Sequence, residues 1–178
     1  MVKVIKTLRE QDINPEAAVI DSKDFATREA ARAVVLAKDD STFLLKVGKY
    51  NYHKLPGGGI EAGEDIETGL ERELLEEIGS KAEILAEIGQ IVEYRDQLRL
   101  KQISYCFLAR RKGEQINSSF DESELAEEFE VTKVVSLDEA INLLEQDRPD
   151  DYDGSFIVVR DLFLLKEAKK LINQKPGA

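Results

Sequence analysis

The chain has 178 residues, 42% of them hydrophobic, with 25 basic and 36 acidic side chains and a net charge of −11. That apolar content builds one packed domain with some extension and excludes wholesale disorder, while so acidic a surface repels nucleic-acid phosphates and anionic lipids. No apolar run approaches the roughly 18 residues that span a bilayer, and "MVKVIKTLRE" is too charged for a secretory signal, so a cytoplasmic protein is expected.

In chain order, "KVIKTL" (3–8) and "EAAVID" (16–21) have strand-like apolar content and predict an N-terminal strand extension over residues 1–27. "AARAVVLA" (30–37) and "STFLLKVG" (41–48) are β-branched runs split by a "KDD" turn, which predicts a hairpin. The single histidine, His53, reads as a partly exposed loop residue, and one histidine leaves Ser-His or Cys-His catalysis little to build on. Residues 82–95 and 98–111 predict two further strands around a "DQ" turn. The one cysteine, Cys106, falls in the second of these; it excludes an internal disulfide and reads as buried filler.

"FEVTKVVS" (129–136) is another strand, and Ser136 with Glu139 makes a capping box that starts a helix through Gln146. Asp150 to Gly154 resembles a calcium loop, but the first ligand position would be Pro149 and the closing glutamate position is Arg160, so it reads as a polar turn. Ser155 to Asn173 predicts a helix with Ile157, Leu164, Leu165, Ala168, Leu171 and Ile172 inside about 120° of arc. Phe156, Val159 and Phe163 lie off that stripe. Strands interleaved with few helices predict an α+β fold.

The richest segment is "KLPGGGIEAGEDIETGLERELLEEIGS" (54–80). Asp65 caps a helix that Gly79 stops, giving a helix over Ile66 to Ile78. On it Glu73, Glu76 and Glu77 share a face within about 100° of arc, beside an apolar stripe of Leu70, Leu74 and Ile78. Carboxylates crowded against buried surface repel one another unless a cation neutralises them, and all-oxygen ligands favour a hard divalent ion. Arg72, four residues before Glu76, pairs with it. Gly69 inside a helix costs about 1 kcal/mol against alanine, which predicts close approach to a strand or the glycine loop. Gly57 to Gly59 is read as a tight turn that aims a carbonyl at the metal.

A solvated acidic face is the plain alternative. Yet Gly58, Glu64, Arg72, Glu73, Glu76, Glu77 and Gly79 at these intervals coincide by chance on the order of once in 10^8 start positions at ordinary residue frequencies. At these residues the sequence resembles the Nudix hydrolase family, over a signature from Gly58 to Ser80. Two departures stand out: Ser80 occupies an aliphatic packing position, and the tryptophan often found before the final helix is absent.

The resemblance implies an α/β/α sandwich with a mixed sheet over residues 28–147, followed by a C-terminal helix over 148–178 packed on the domain or a dimer partner. It implies metal-dependent hydrolysis of a pyrophosphate bond in a nucleoside diphosphate linked to another group; a non-catalytic nucleotide-binding module on the same fold is the alternative. Carried over residue by residue, Gly58, Glu73, Glu76 and Glu77 hold Mg2+ (or Mn2+), Glu76, Arg72 and Glu73 are catalytic, and Glu64 steadies the loop. Glu127 or Glu128 is an alternative general base. Tyr50, Tyr52, Lys54, Arg32 and Tyr94 flank the expected cleft, with no substrate contact assigned. Nucleic acid and membrane are not expected as partners. The spare apolar surface at both termini predicts a homodimer.

Overall fold

A computed structural model describes residues 3–113 and 116–174. Its centre is one mixed sheet of eight strands: β1 (Val4–Leu8), β2 (Ala26–Leu36), β3 (Thr42–Val47), β4 (Tyr52–Lys54), β5 (Gly57–Gly59), β6 (Lys81–Arg95), β7 (Leu100–Lys112) and β8 (Phe129–Val134). The main order is β1-β6-β7-β2-β3-β4, with β5 on β2 and β8 on β3. The helices are α1 (Glu10–Ile13), α2 (Ile66–Ile78), α3 (Glu122–Ala126), α4 (Leu137–Gln146) and α5 (Tyr152–Gln174).

Strand alternation sends β2's two faces to different layers. Ala31, Ala33 and Val35 pack with Leu70, Leu74 and Ile78 of α2. Val34 and Leu36 pack with Leu144 of α4 and Leu164, Leu165 and Ala168 of α5. The result is the expected α/β/α sandwich. The 30–37/41–48 hairpin and the 82–95/98–111 pair form as expected, both antiparallel. Ser136 caps α4, its hydroxyl accepting from Glu139 N–H at 3.2 Å, while Glu139 reaches back to Val135 N–H instead of Ser136.

The sheet forks at β2. At its middle β2 pairs with β5, Ala30 to Arg32 against Gly59 to Gly57; at its far end Leu36 pairs with Thr42 of β3. β3 then carries β8 and β4 away from β5, and the fork opens the space in which the site lies.

Several expectations change. Gly57–Gly59 is a strand, not a turn. "EAAVID" is irregular, not a strand, and leaves Val19 and Ile20 exposed. "KVIKTL" does form β1, parallel to β6. On α5, Ile172 is exposed, whereas Phe156 is fully buried and Val159 and Phe163 pack on the same core. The apolar residues off the α5 stripe are thus absorbed by the chain's own fold. Ser80 is buried, but its hydroxyl accepts from Arg111 Nε at 3.0 Å, so a polar bond replaces the expected packing contact. Cys106 is buried as expected, and burial pushes its thiol up to about 12. No helix among the described residues is long and apolar enough to cross a membrane.

Candidate functional site

Asp65 caps α2 by accepting Thr68 N–H at 2.8 Å, and Gly79 ends it in the left-handed conformation at φ +60°. Burial of Leu70, Leu74 and Ile78 in the core then sets the rotation of α2, so that the Glu73/Glu76 side faces the cleft. Gly69 lies against Ile60 and the Glu64 carboxylate, the close approach expected of it.

Arg72 organises this face. Its Nε donates to Glu64 at 2.8 Å, Nη2 to Glu64 at 3.1 Å and to the Gly59 carbonyl at 2.9 Å, and Nη1 to Glu73 at 2.9 Å and Glu76 at 3.1 Å. The bonds from Arg72 hold the Glu64 carboxyl down at about 2 and push the guanidinium itself upward. β5 must run close beside Glu73: a Cβ at Gly58 would fall on the Glu73 carboxylate. Only glycine leaves that carboxylate its place.

Glu77 differs from its two neighbours. Its side chain is 1% exposed, against 14% for Glu73 and 43% for Glu76. Lys54 Nζ donates to one oxygen at 3.0 Å and Gly57 N–H to the other at 2.5 Å. Burial nevertheless prevails over these donors and pushes the Glu77 carboxyl up to about 7.

Glu73, Glu76, Glu77, Arg72 and Gly58 line one cleft of about 710 Å3, roofed by Glu124 and Glu127 around α3. Asp121 caps α3, accepting from Ser123 and Glu124 N–H at 2.8 Å each. Glu127 reaches the cleft, and partial burial raises its carboxyl. Glu128 does not line it; it packs against Gly48 at a φ of 59°. Among the described residues no three acidic, histidine or cysteine side chains are already drawn together as a metal cage. The donor set still fits a hard cation. Glu73 and Glu76 converge on a single cationic nitrogen, Arg72 Nη1, and the side-chain-free Gly58 leaves room beside them.

Of the flanking residues expected from sequence, Lys54 lines this cleft, and Tyr52 and Arg32 line a smaller cavity that shares Gly58 and Glu127 with it. Tyr50 and Tyr94 line neither; Tyr94 packs on Phe25 and under the Arg9 guanidinium. His53 is in β4, not a loop, and its Nδ1 lies 3.0 Å from Asp147. Of the expected polar turn only Asp150 and Asp151 lie outside the helix; Tyr152 to Gly154 open α5, with Asp151 accepting Gly154 N–H at 3.2 Å.

The sequence reading missed Arg28, the one cation of the cleft with no hydrogen-bond or ion-pair partner among the described residues. It also missed a buried polar cluster behind Gly57. Arg160 donates to Asp161 at 2.7 Å and to Glu93 at 3.3 Å, Arg95 donates to Glu93 at 3.0 Å, and Asp161 accepts Leu55 N–H at 2.8 Å. Period-two spacing held a signal for part of it: Arg32 shares a strand face with Ala30 and Val34, and Gln102 and Ser104 share one with Cys106, which places these polar groups at inward positions.

Residues 26–155 match the family pattern described as the NUDIX domain. The chain belongs to the NUDIX family. Within that family it is 28% identical over 113 residues to the RNA pyrophosphohydrolase of Wolbachia pipientis subsp. Culex pipiens (strain wPip). That match covers 63% of this chain, which spans 62% of the length of the curated relative. The NUDIX fold recurs in a solved NUDIX hydrolase from Nitrosomonas europaea, with a TM-score of 0.61, 17% identity, and 84% and 91% of the two chains covered. An ADP compounds hydrolase superposes with a TM-score of 0.62 at 19% identity, over 86% of this chain and 77% of that one.

Proposed function

We propose that this NUDIX protein is a divalent-metal-dependent pyrophosphohydrolase acting on a nucleoside diphosphate linked to another group. The observation that carries the reading is the Arg72 fork, which gathers Gly59, Glu64, Glu73 and Glu76 at one wall of an open cleft. Binding alone does not call for so many mutually repelling acids. Glu73, Glu76, Glu77 and the Gly58 carbonyl would hold Mg2+ or Mn2+, with Glu77 first releasing Lys54. When bound, such an ion shields diphosphate charge and lowers the pKa of coordinated water. Glu76, the most exposed of the three and steadied by Arg72, would accept the proton of the attacking water. Glu127, on the opposite wall, is the alternative acceptor.

The deciding experiment incubates the protein with magnesium and a panel of nucleoside triphosphates, nucleotide sugars, dinucleoside polyphosphates and a 5′-triphosphorylated oligoribonucleotide, and measures product release by chromatography: a nucleoside monophosphate and a second phosphorylated product from the linked diphosphates, phosphate or pyrophosphate from the triphosphates. The oligonucleotide enters because the curated relative is named for RNA; the net charge of −11 argues against it here. Release that is abolished by chelation supports the proposal. Metal-dependent thermal stabilisation with no turnover of any member would instead indicate a nucleotide-binding module.

We also infer a cytoplasmic homodimer. The lone cysteine supports the compartment. Exposed Leu85 and Ile172, beside a groove of about 470 Å3 at the end of α5, support the association. A monomeric mass of 20.0 kDa by light scattering at micromolar concentration would overturn the dimer.

A further inference from the structure

Lys54 ends β4, three residues before the glycine strand begins, and its side chain crosses to α2. Its Nζ donates to Glu77 Oε1 at 3.0 Å and lies 4.6 Å from the centre of the Phe129 ring. Both Lys54 and Glu77 line the cleft, yet the Lys54 side chain is 12% exposed and that of Glu77 only 1%. The other Glu77 oxygen is closed by Gly57 N–H at 2.5 Å. The ammonium therefore covers the carboxylate oxygen that a cation arriving from the cleft would need.

The two cations of this wall are held very differently. Arg72 is pinned by Glu64 and the Gly59 carbonyl while it bonds Glu73 and Glu76. Lys54 has one hydrogen bond among the described residues, on a flexible four-carbon stem, so a single exchange frees it. It also has somewhere to go. Across the cleft, partial burial raises the Glu124 and Glu127 carboxyls, and the Lys54 charge is close enough to hold both down in part. A buried carboxylate without a counter-charge is costly, so Glu77 needs some cation at all times. A compact ammonium meets that need with the same sign as a divalent ion and half its charge.

We propose that Lys54 is a tethered counter-ion that competes with the divalent metal for Glu77, and so sets how much free metal the site requires. The inference rests on the metal-dependent reading of the cleft and gives a role to a residue outside the carboxylate helix. Glu77 exchanges one cation for another, and Gly57 N–H stays on its second oxygen throughout. The ammonium leaves with its three protons and moves toward Glu124 and Glu127. Metal affinity is then lowered by the factor that the Lys54–Glu77 pair is worth, and by linkage the ion weakens that pair by the same factor. The protein in turn keeps a folded, neutralised Glu77 when divalent ions are scarce.

The test compares the wild type with Lys54→Met, which keeps an unbranched stem without the charge. Calorimetry measures Mn2+ binding at alkaline pH, so that protons do not compete for Glu77, and thermal unfolding is followed in chelator and in saturating Mn2+. Lys54→Met should bind Mn2+ roughly tenfold more tightly or better. It should also unfold at a lower temperature than the wild type in chelator, with saturating Mn2+ closing that gap. Loss of one distant positive charge would tighten binding too, but would leave no deficit in chelator for the metal to repair. A variant that folds only with Mn2+ is the same result in stronger form. If Lys54→Met stays unfolded even then, Lys54→Gln, which keeps a neutral N–H donor for Glu77, is judged by the same criteria. Unchanged or weaker Mn2+ binding, or a deficit that Mn2+ does not close, would make Lys54 a purely structural lysine and overturn the proposal alone. Absence of Mn2+ binding in both proteins would overturn the metal reading and the proposal with it.

Discussion

Lys54 Nζ sits 3.0 Å from Glu77 Oε1, which is itself buried, and yet the Glu77 carboxyl is pushed up to about 7 from 4.5. Between those values the folded protein binds more protons than the unfolded chain. Metal-free stability therefore falls as pH rises from about 4.5 to 7 on account of this group, and levels off above. Urea unfolding in chelator across that range should show the decline in the wild type. Glu77→Gln should flatten it, and an unchanged slope in that variant would assign the effect elsewhere.

Gly58→Ala introduces a methyl group where the Glu73 carboxylate lies. The expected result is a folded protein with turnover reduced roughly 10- to 100-fold, the range typical when the support of a metal ligand is disturbed. Metal-induced thermal stabilisation should shrink in parallel. Wild-type turnover would show that Glu73 can move aside without consequence.

Arg72→Lys preserves charge but loses the planar fork that reaches Gly59, Glu64, Glu73 and Glu76 at once. Steady-state kinetics should show kcat falling roughly a hundredfold. Glu76→Gln should be at least as severe while the protein stays folded. A folded Glu76→Gln protein with full activity would remove this helix from the chemistry.

The sequence made α2 legible to its ends, because Asp65, Gly79 and the stripe of Leu70, Leu74 and Ile78 all state the same helix. The long strands β6 and β7 were legible from their apolar runs around a turn. β5 was not: three glycines have no side-chain periodicity, and only pairing with Ala30 to Arg32 makes them a strand. Glu73, Glu76 and Arg72 meet as their spacing implied, since one helix holds them all. Glu77's commitment to Lys54 and Gly57 depends on how distant elements pack, which no local spacing records. The same holds for Arg160 and Asp161, charged residues in an apolar run whose partners Glu93 and Leu55 lie far away in sequence.

Asp161→Ala should be the most destabilising of these substitutions. Asp161 is fully buried, balances Arg160 and accepts Leu55 N–H. Removing it leaves a buried guanidinium without its main counter-charge, a loss of about 3–5 kcal/mol. Chemical denaturation measures this directly, and a shift under about 1 kcal/mol, the worth of an exposed pair, would mean that water enters the cluster.

The family pattern stops at residue 155, inside the first turn of α5. Arg160 and Asp161 lie past that border, and through Leu55 they hold the strand leading into Gly57 and Gly58. The heritable pattern and the mechanical unit therefore have different ends in this protein. Anyone grafting this domain onto another protein, or trimming it to a minimal version, must carry α5 along at least as far as Asp161, since its removal would slacken the glycine strand from behind.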